Sequence, residues 1–150
     1  MEKTQYQRFV GKLLYLSHTR PDIAYANSVA SQFMHDLRER HLQAVNRIIQ
    51  YLKASPGKGF LFKKGENLSM KVYIDADYAR SIVDRRSTTG YCMFLGGNLV
   101  TWRSKKQNVV ARSSSEAKFK AMAQGVCELL WMKIILDNLK IKYESPMGLV

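Results

Sequence analysis

The chain has 150 residues, enough for one domain or a domain with a helical appendage, and its 46% hydrophobic content is ordinary for a globular protein. Its longest strongly apolar stretch, residues 129–136, contains Lys133 and falls far short of the ~20 residues of a membrane span. The opening Met1-Glu2-Lys3-Thr4-Gln5 lacks the apolar core of a signal peptide, so the expectation is an intracellular protein, cytoplasmic or nuclear, with no membrane partner.

In chain order, the first third reads as helices. Tyr6, Phe9, Val10, Leu13, Leu14 and Ser17 make an i, i+3, i+4, i+7 stripe. Pro21 suits the first turn of a second helix, with Ile23, Ala26, Ala30, Phe33 and Met34 as its buried face. A third begins near Glu39, places Leu42, Val45, Ile49 and Leu52 on one side, and stops at Ser55-Pro56-Gly57. The period then changes. Gly59-Phe60-Leu61-Phe62 is a short apolar run, and residues 63–67 make a turn. Val72-Tyr73-Ile74 leads as a strand into Asp75. Residues 88–95 read as a second strand, Gly96-Gly97-Asn98 as a hairpin turn, and Leu99 to Trp102 as the start of the return strand. Residues 113–139 form a long helix capped by Ser113 or Ser114, with Phe119, Met122, Ala123, Val126 and Leu130 as its expected core stripe. The expected architecture is α+β: helices, then a three-stranded antiparallel sheet packed by one helix. Cys92 and Cys127 are expected as reduced core thiols, and His18, His35 and His41 form no zinc pattern with them.

Charge is the strongest compositional feature. The formal net charge is +12, and residues 85–115 hold no Asp or Glu while carrying Arg85, Arg86, Arg103, Lys105, Lys106 and Arg112. A basic stretch beside exposed hydroxyls suits phosphate contacts, which gain affinity by releasing counterions; the alternative is a solvated face kept soluble by its charge. Asp75 and Asp77 lie two apart on a strand and so share a face. Paired carboxylates can hold Mg²⁺, and two such ions can clamp a phosphodiester. The plainer alternative is that Asp77 simply ends the strand.

Longer motifs narrow this. Residues 73–79 (Tyr-Ile-Asp-Ala-Asp-Tyr-Ala), 84–91 (Asp-Arg-Arg-Ser-Thr-Thr-Gly-Tyr) and 100–107 (Val-Thr-Trp-Arg-Ser-Lys-Lys-Gln) closely resemble the ribonuclease H segment of copia-type LTR retrotransposon Pol polyproteins. Residues 6–16 and 19–26 resemble the end of the same family's reverse transcriptase. The resemblance implies two parts: residues 1–57, a thumb- or connection-like helical end of the reverse transcriptase, and residues 58–150, a truncated ribonuclease H-like domain with a partial antiparallel sheet and one packed helix. No Tyr-x-Asp-Asp sequence is present, so polymerase activity is not expected.

By the resemblance, Asp75 matches the first catalytic, metal-binding aspartate. The next acid is the second glutamate of a Ser-Ser-x-Glu-Ala-Glu-aromatic motif, which here reads Ser113-Ser114-Ser115-Glu116-Ala117-Lys118-Phe119. Lys118 therefore occupies a metal-ligand position, and a cation there repels metal. Glu116 is a poor substitute, because residues two apart on a helix point ~200° apart. A third acid would follow Pro146-Met147-Gly148-Leu149-Val150, and its absence is expected to leave residues 71–74 as an open sheet edge inviting self-association. Arg80 stands where the family has glycine, and strain is expected in that turn.

Three readings follow: a non-catalytic remnant in which the ancestral Mg²⁺ is no longer held, a nucleic-acid-binding module, and an active nuclease. In the family, the basic loop and helix start contact an RNA–DNA hybrid through its backbone and 2′-hydroxyls. The residues matching those contacts are Arg85, Arg86, Arg103, Lys105, Lys106, Arg112, Ser113 and Ser114, with Trp102 expected in the core.

Overall fold

A computed structural model describes residues 3–65 and 67–150. The chain divides into two compact units, one ending at Leu61 and the other starting at Phe62.

The first unit is helical: α1 (Lys3–Leu16), a 3₁₀ turn (Pro21–Ile23) running into α2 (Ala24–Ser31), and α3 (Glu39–Ala54). Pro21 sits in the first turn, where its missing N–H leaves no orphan donor. Tyr6, Val10, Leu13, Ile23, Ala30, Val45 and Ile48 form the core. The Tyr6 hydroxyl is buried and donates to the Ala30 carbonyl at 2.9 Å, tying α1 to the end of α2. The expected stripes are shifted in detail. Phe9 and Leu14 stay exposed, and α2 turns Asn27 inward in place of Ala26. Asn27 is fully buried, and its amide has no hydrogen-bond partner among the described residues.

Arg20 holds the second turn against α3. Its guanidinium pairs with Asp22 at 2.7 Å and donates to the Ser55 hydroxyl at 3.2 Å, while Tyr51 donates to Asp22 at 2.8 Å. The Arg20 hydrogen bond pulls the Asp22 carboxyl down to about 2, below its ordinary 3.8. A carboxyl depressed by folding stabilises fully above its unfolded value and loses that stabilisation as pH falls towards its folded value. The chain's urea midpoint is therefore expected to fall between about pH 4 and pH 2. Asp22→Asn flattens that dependence and, by leaving the buried Arg20 short of an acceptor, costs roughly 1–3 kcal/mol. Urea titrations by circular dichroism at stepped pH measure both.

The second unit is a four-stranded sheet, ordered β3-β2-β1-β4, under one long helix. β1 (Met70–Asp77) pairs antiparallel with β2 (Thr88–Leu95), which pairs antiparallel with β3 (Asn98–Lys106). Gly96 and Gly97 make the two-residue hairpin turn at φ 56° and 78°, the left-handed backbone that a tight hairpin needs. The return strand β3 runs on to Lys106, with an irregularity opposite Met93/Phe94. Residues 59–63 form no strand, and Leu61 and Phe62 are exposed.

Two expectations are corrected here. The sheet is mixed, because β4 (Met147–Leu149) runs parallel beside Met70, Lys71 and Val72. Val150 continues the pairing, donating to Val72 and accepting from Ile74 at 2.9 and 3.0 Å. The β1 edge expected to be open is covered. Tyr143 guides this return: its hydroxyl accepts the Met70 N–H at 3.0 Å and donates to the Pro146 carbonyl at 3.3 Å.

The second correction concerns α4 (Ser114–Asn138). Its buried side is Ala117, Ala121, Gly125, Leu129, Met132 and Leu136. The stripe expected to be core (Phe119, Met122, Ala123, Val126 and Leu130) faces outward, with Phe119 69% exposed. Cys127 is exposed as well, so only the half-buried Cys92 approximates the expected core thiol. The cause is spacing. A Cβ at Gly125 would lie 1.9 Å from Ile74 Cδ1 and 3.1 Å from Leu149 Cδ1, so α4 rests on β1 at a distance only small residues allow. Gly125→Leu must displace the Ile74 side chain or lift the helix, at a cost of about 1–3 kcal/mol. The neighbouring Val126→Ala, on the exposed side, changes stability by less than about 0.5 kcal/mol. Urea unfolding of the two variants provides the comparison.

Candidate nucleic-acid interface

Between β3 and α4 lies a groove of about 280 Å³ lined by Thr89, Tyr91, Arg103, Lys105, Lys106, Gln107, Asn108, Val109, Lys120 and Gln124. Cross-strand register explains the assembly. Thr89 opposes Lys105 and Tyr91 opposes Arg103, so these four share the sheet face that α4 covers. Gln107 fixes the groove floor, its amide donating to the Thr89 hydroxyl and the Ala117 carbonyl, both at 3.0 Å, while its Oε1 is buried and unpaired. Burial, and then the Glu128 charge, raise the Tyr91 phenol.

Among the described residues no carboxylate lines the groove. Lys106 is partly compensated, reaching Asp84 at 3.4 Å and the Ser81 hydroxyl at 3.1 Å, and Lys120 pairs with Glu116 at 2.7 Å. Arg103 and Lys105 are exposed and appear in no ion pair among the described residues.

The structure thus brings Arg103, Lys105 and Lys106 together and adds Lys120, which the acid-free window of residues 85–115 left out. Arg85 and Arg86 lie in the neighbouring 78–87 loop. Asp84 is its hub, meeting Lys106 and, at 3.5 Å, Arg86. Its carboxyl is held below the usual range by the Ser81 hydrogen bond first, with the Arg86 N–H and Lys106 adding to it. The backbone strain expected at Arg80 falls on Ala79 and Arg85, at φ 49° and 54°. Arg80 itself pairs with Asp77. Trp102 is half-buried and shares the sheet face away from α4 with Tyr73 and Cys92, outside the helix-packed core.

Arg112, Ser113 and Ser114 are exposed at the α4 N-terminus and do not line the groove. Ser113 caps the helix, accepting the Glu116 N–H at 3.1 Å, while Glu116 reaches back to the Arg112 N–H at 2.6 Å. Lys120 and then this N–H hold the Glu116 carboxyl below its ordinary range. Ser113→Ala is expected to cost about 1 kcal/mol through the lost cap. The same urea titration measures it, and a variant of unchanged stability would remove the capping role.

In the unbroken β1–β2 register Asp75 shares a face with Tyr73 and Asp77, whereas Ile74 and Ala76 pack on Ala117 and Ala121 of α4. Asp75 thus points away from the helix that carries Lys118. Its Oδ1 takes the Ala76 N–H at 2.8 Å, and Asp77 is engaged by Arg80. Among the described residues no three His, Cys, Asp or Glu side chains converge as a metal site. No helix among them is long and apolar enough to cross a membrane.

The chain is 45% identical over 97% of its length to the retrovirus-related Pol polyprotein from transposon RE1 of Arabidopsis thaliana, and 41% identical over 97% to that from transposon RE2. It belongs to the retrovirus-related Pol polyproteins of transposons. Within this family the chain spans 10% of the length of either polyprotein. It is also 39% identical over 89% of its length to secreted RxLR effector protein 161 of Plasmopara viticola, covering 95% of that protein. No family model and no solved structure matches the chain. Membership of the transposon Pol polyproteins agrees with the Pol polyprotein resemblance carried by motifs 73–79, 84–91 and 100–107.

Proposed function

We propose that this Pol segment is a ribonuclease H-related module that holds nucleic-acid backbone without cleaving it. The observation that carries the proposal is the groove of Arg103, Lys105, Lys106 and Lys120, which among the described residues contains no carboxylate and leaves two of its cations without ion-pair partners. Such a groove attracts phosphate and releases counterions, whereas a metal-dependent nuclease needs converging carboxylates. Arg85, Arg86 and Arg112 extend the positive surface, and the Ser114 hydroxyl is available for a phosphate or 2′-hydroxyl contact. Contacts of this kind position a duplex and specify little sequence. An RNA–DNA hybrid is the partner that the resemblance favours.

Three side chains support the non-cleaving reading. Lys118 places a cation at the matched ligand position, Glu116 is spent on the helix cap, and Asp75 points away from α4. Mg²⁺ therefore lacks a converging set of donors among the described residues.

Fluorescence polarisation with a labelled RNA–DNA hybrid at stepped salt tests the proposal. Binding is expected to weaken steeply with salt, and Arg103→Ala/Lys105→Ala to reduce the log–log slope by about 2. Folded protein that fails to bind hybrid at low salt would overturn the binding reading. Mg²⁺-dependent cleavage abolished by Asp75→Asn would overturn the non-cleaving one.

A further inference from the structure

The 78–87 loop between β1 and β2 carries an apolar tip that stands almost wholly in solvent. Ile82 and Val83 are 91% and 87% exposed, more than any other large apolar side chain among the described residues. A solvated loop tip ordinarily carries glycine or small polar residues. This one is held in a fixed shape. The Arg85 N–H donates to the Ser81 carbonyl at 2.8 Å and the Ser81 N–H to the Arg86 carbonyl at 3.2 Å, which closes the turn around Ile82 and Val83. Both tip residues are β-branched, so their side chains lose little rotamer freedom on contact. Building on the phosphate-holding reading of the groove, we infer that Ile82 and Val83 enter the minor groove of the duplex held there and add an apolar, salt-independent share to its binding.

Two observations select nucleic acid as the occupant. The first is that the tip is fastened to the groove. Ser81 and Asp84 flank Ile82-Val83 directly, and Lys106, a groove residue, donates to the Ser81 hydroxyl at 3.1 Å and lies 3.4 Å from Asp84. At the start of the loop the Tyr78 hydroxyl donates to the Arg112 carbonyl at 3.3 Å, which joins the loop to the beginning of α4. At its end the Ala79 N–H donates to the buried Ser87 hydroxyl at 3.1 Å.

The second is charge. Residues 78–87 hold Arg80, Arg85 and Arg86 against Asp84 alone. Asp84 is already engaged by Lys106 and Arg86, and Arg80 pairs with Asp77. Arg85 is exposed and appears in no ion pair among the described residues. An apolar tip ringed by cations suits a partner that sets anions on either side of a surface open to apolar contact. The minor groove of a duplex has that arrangement, with phosphates along both rims and sugars and base edges between them. In A-form helices it is wide and shallow, which admits a turn two residues across. An anionic bilayer shares the charge, but its flat surface does not fill the groove to which the loop is fastened.

Apolar contact releases no counterions, so it scales affinity equally at every salt concentration, whereas a phosphate contact changes the slope. Fluorescence polarisation of the labelled RNA–DNA hybrid at stepped salt, on the full chain and on Ile82→Ser/Val83→Ser, separates the two. The variant is expected to bind about tenfold more weakly at every salt concentration with an unchanged log–log slope. Ile82→Leu/Val83→Leu is expected to bind as the unsubstituted chain does. Both side chains are exposed, so the circular dichroism melt should not change, which keeps lost binding distinct from lost fold. If the unsubstituted chain binds hybrid and Ile82→Ser/Val83→Ser binds equally well, this inference fails while the groove reading stands. No binding by the folded, unsubstituted chain removes both. A slope altered by the serine variant also overturns the inference, because the tip would then act through phosphate contacts. Flotation with phosphatidylcholine–phosphatidylserine vesicles tests the bilayer: vesicle binding that needs Ile82 and Val83, beside hybrid binding that does not, would assign the tip to lipid instead.

Discussion

Gly125 against Ile74 is the contact from which the rest of the second unit follows. With no Cβ at that position, α4 comes down onto β1, and Ala117 and Ala121 continue the close approach towards Ala76. The larger Leu129, Met132 and Leu136 then fill the wider space over Met70, Val72 and Met93. Leu149 completes the seat from β4. The helix has one rotation that satisfies all of these contacts. That rotation turns Lys120 and Gln124 towards β3, where they wall the groove, and sends Phe119, Val126 and Leu130 outward.

The groove is therefore a by-product of packing as much as a set of charges. Its cations come from two consecutive elements, β3 and α4, and Gln107 between them bonds both to Thr89 on β2 and to Ala117 on α4. Around Asp75 the opposite holds. The strand alternation that places Ile74 and Ala76 in the core obliges Asp75 to face the other way. A lysine at residue 118 and an aspartate on the far face leave no geometry in which carboxylates of these two elements converge.

Much of the local structure was legible because its signals are short-range. The start of α3 at Glu39, the Ser113 cap and the Gly96-Gly97 hairpin all follow from a few adjacent residues. Periodicity also placed the long C-terminal helix correctly, but it could not say which way that helix faces. Residues 114–138 carry two apolar stripes, one bulky and one small, and bulk alone favours the wrong one. Steric room on the sheet decided, and that is a property of β1. The same limit explains Met147–Leu149, a strand too short to show a period and defined by pairing with residues far upstream. It explains Asn27 too, whose burial no polarity rule would suggest. The basic residues were legible as a cluster in sequence, but their division between groove, loop and helix cap was not. Lys120 went unnoticed because an acid lies next to it in the chain's own helix.

The seating of α4 can be observed directly by a nuclear Overhauser experiment on protein labelled at isoleucine methyl groups and at glycine. A strong cross-peak between the Ile74 δ-methyl and the Gly125 α-protons is expected, with none from that methyl to the Phe119 ring or the Val126 methyls. Cross-peaks from Ile74 to Phe119 or Val126, with none to Gly125, would mean that the bulky stripe packs on the sheet, and would contradict both the groove and the outward face built on this contact.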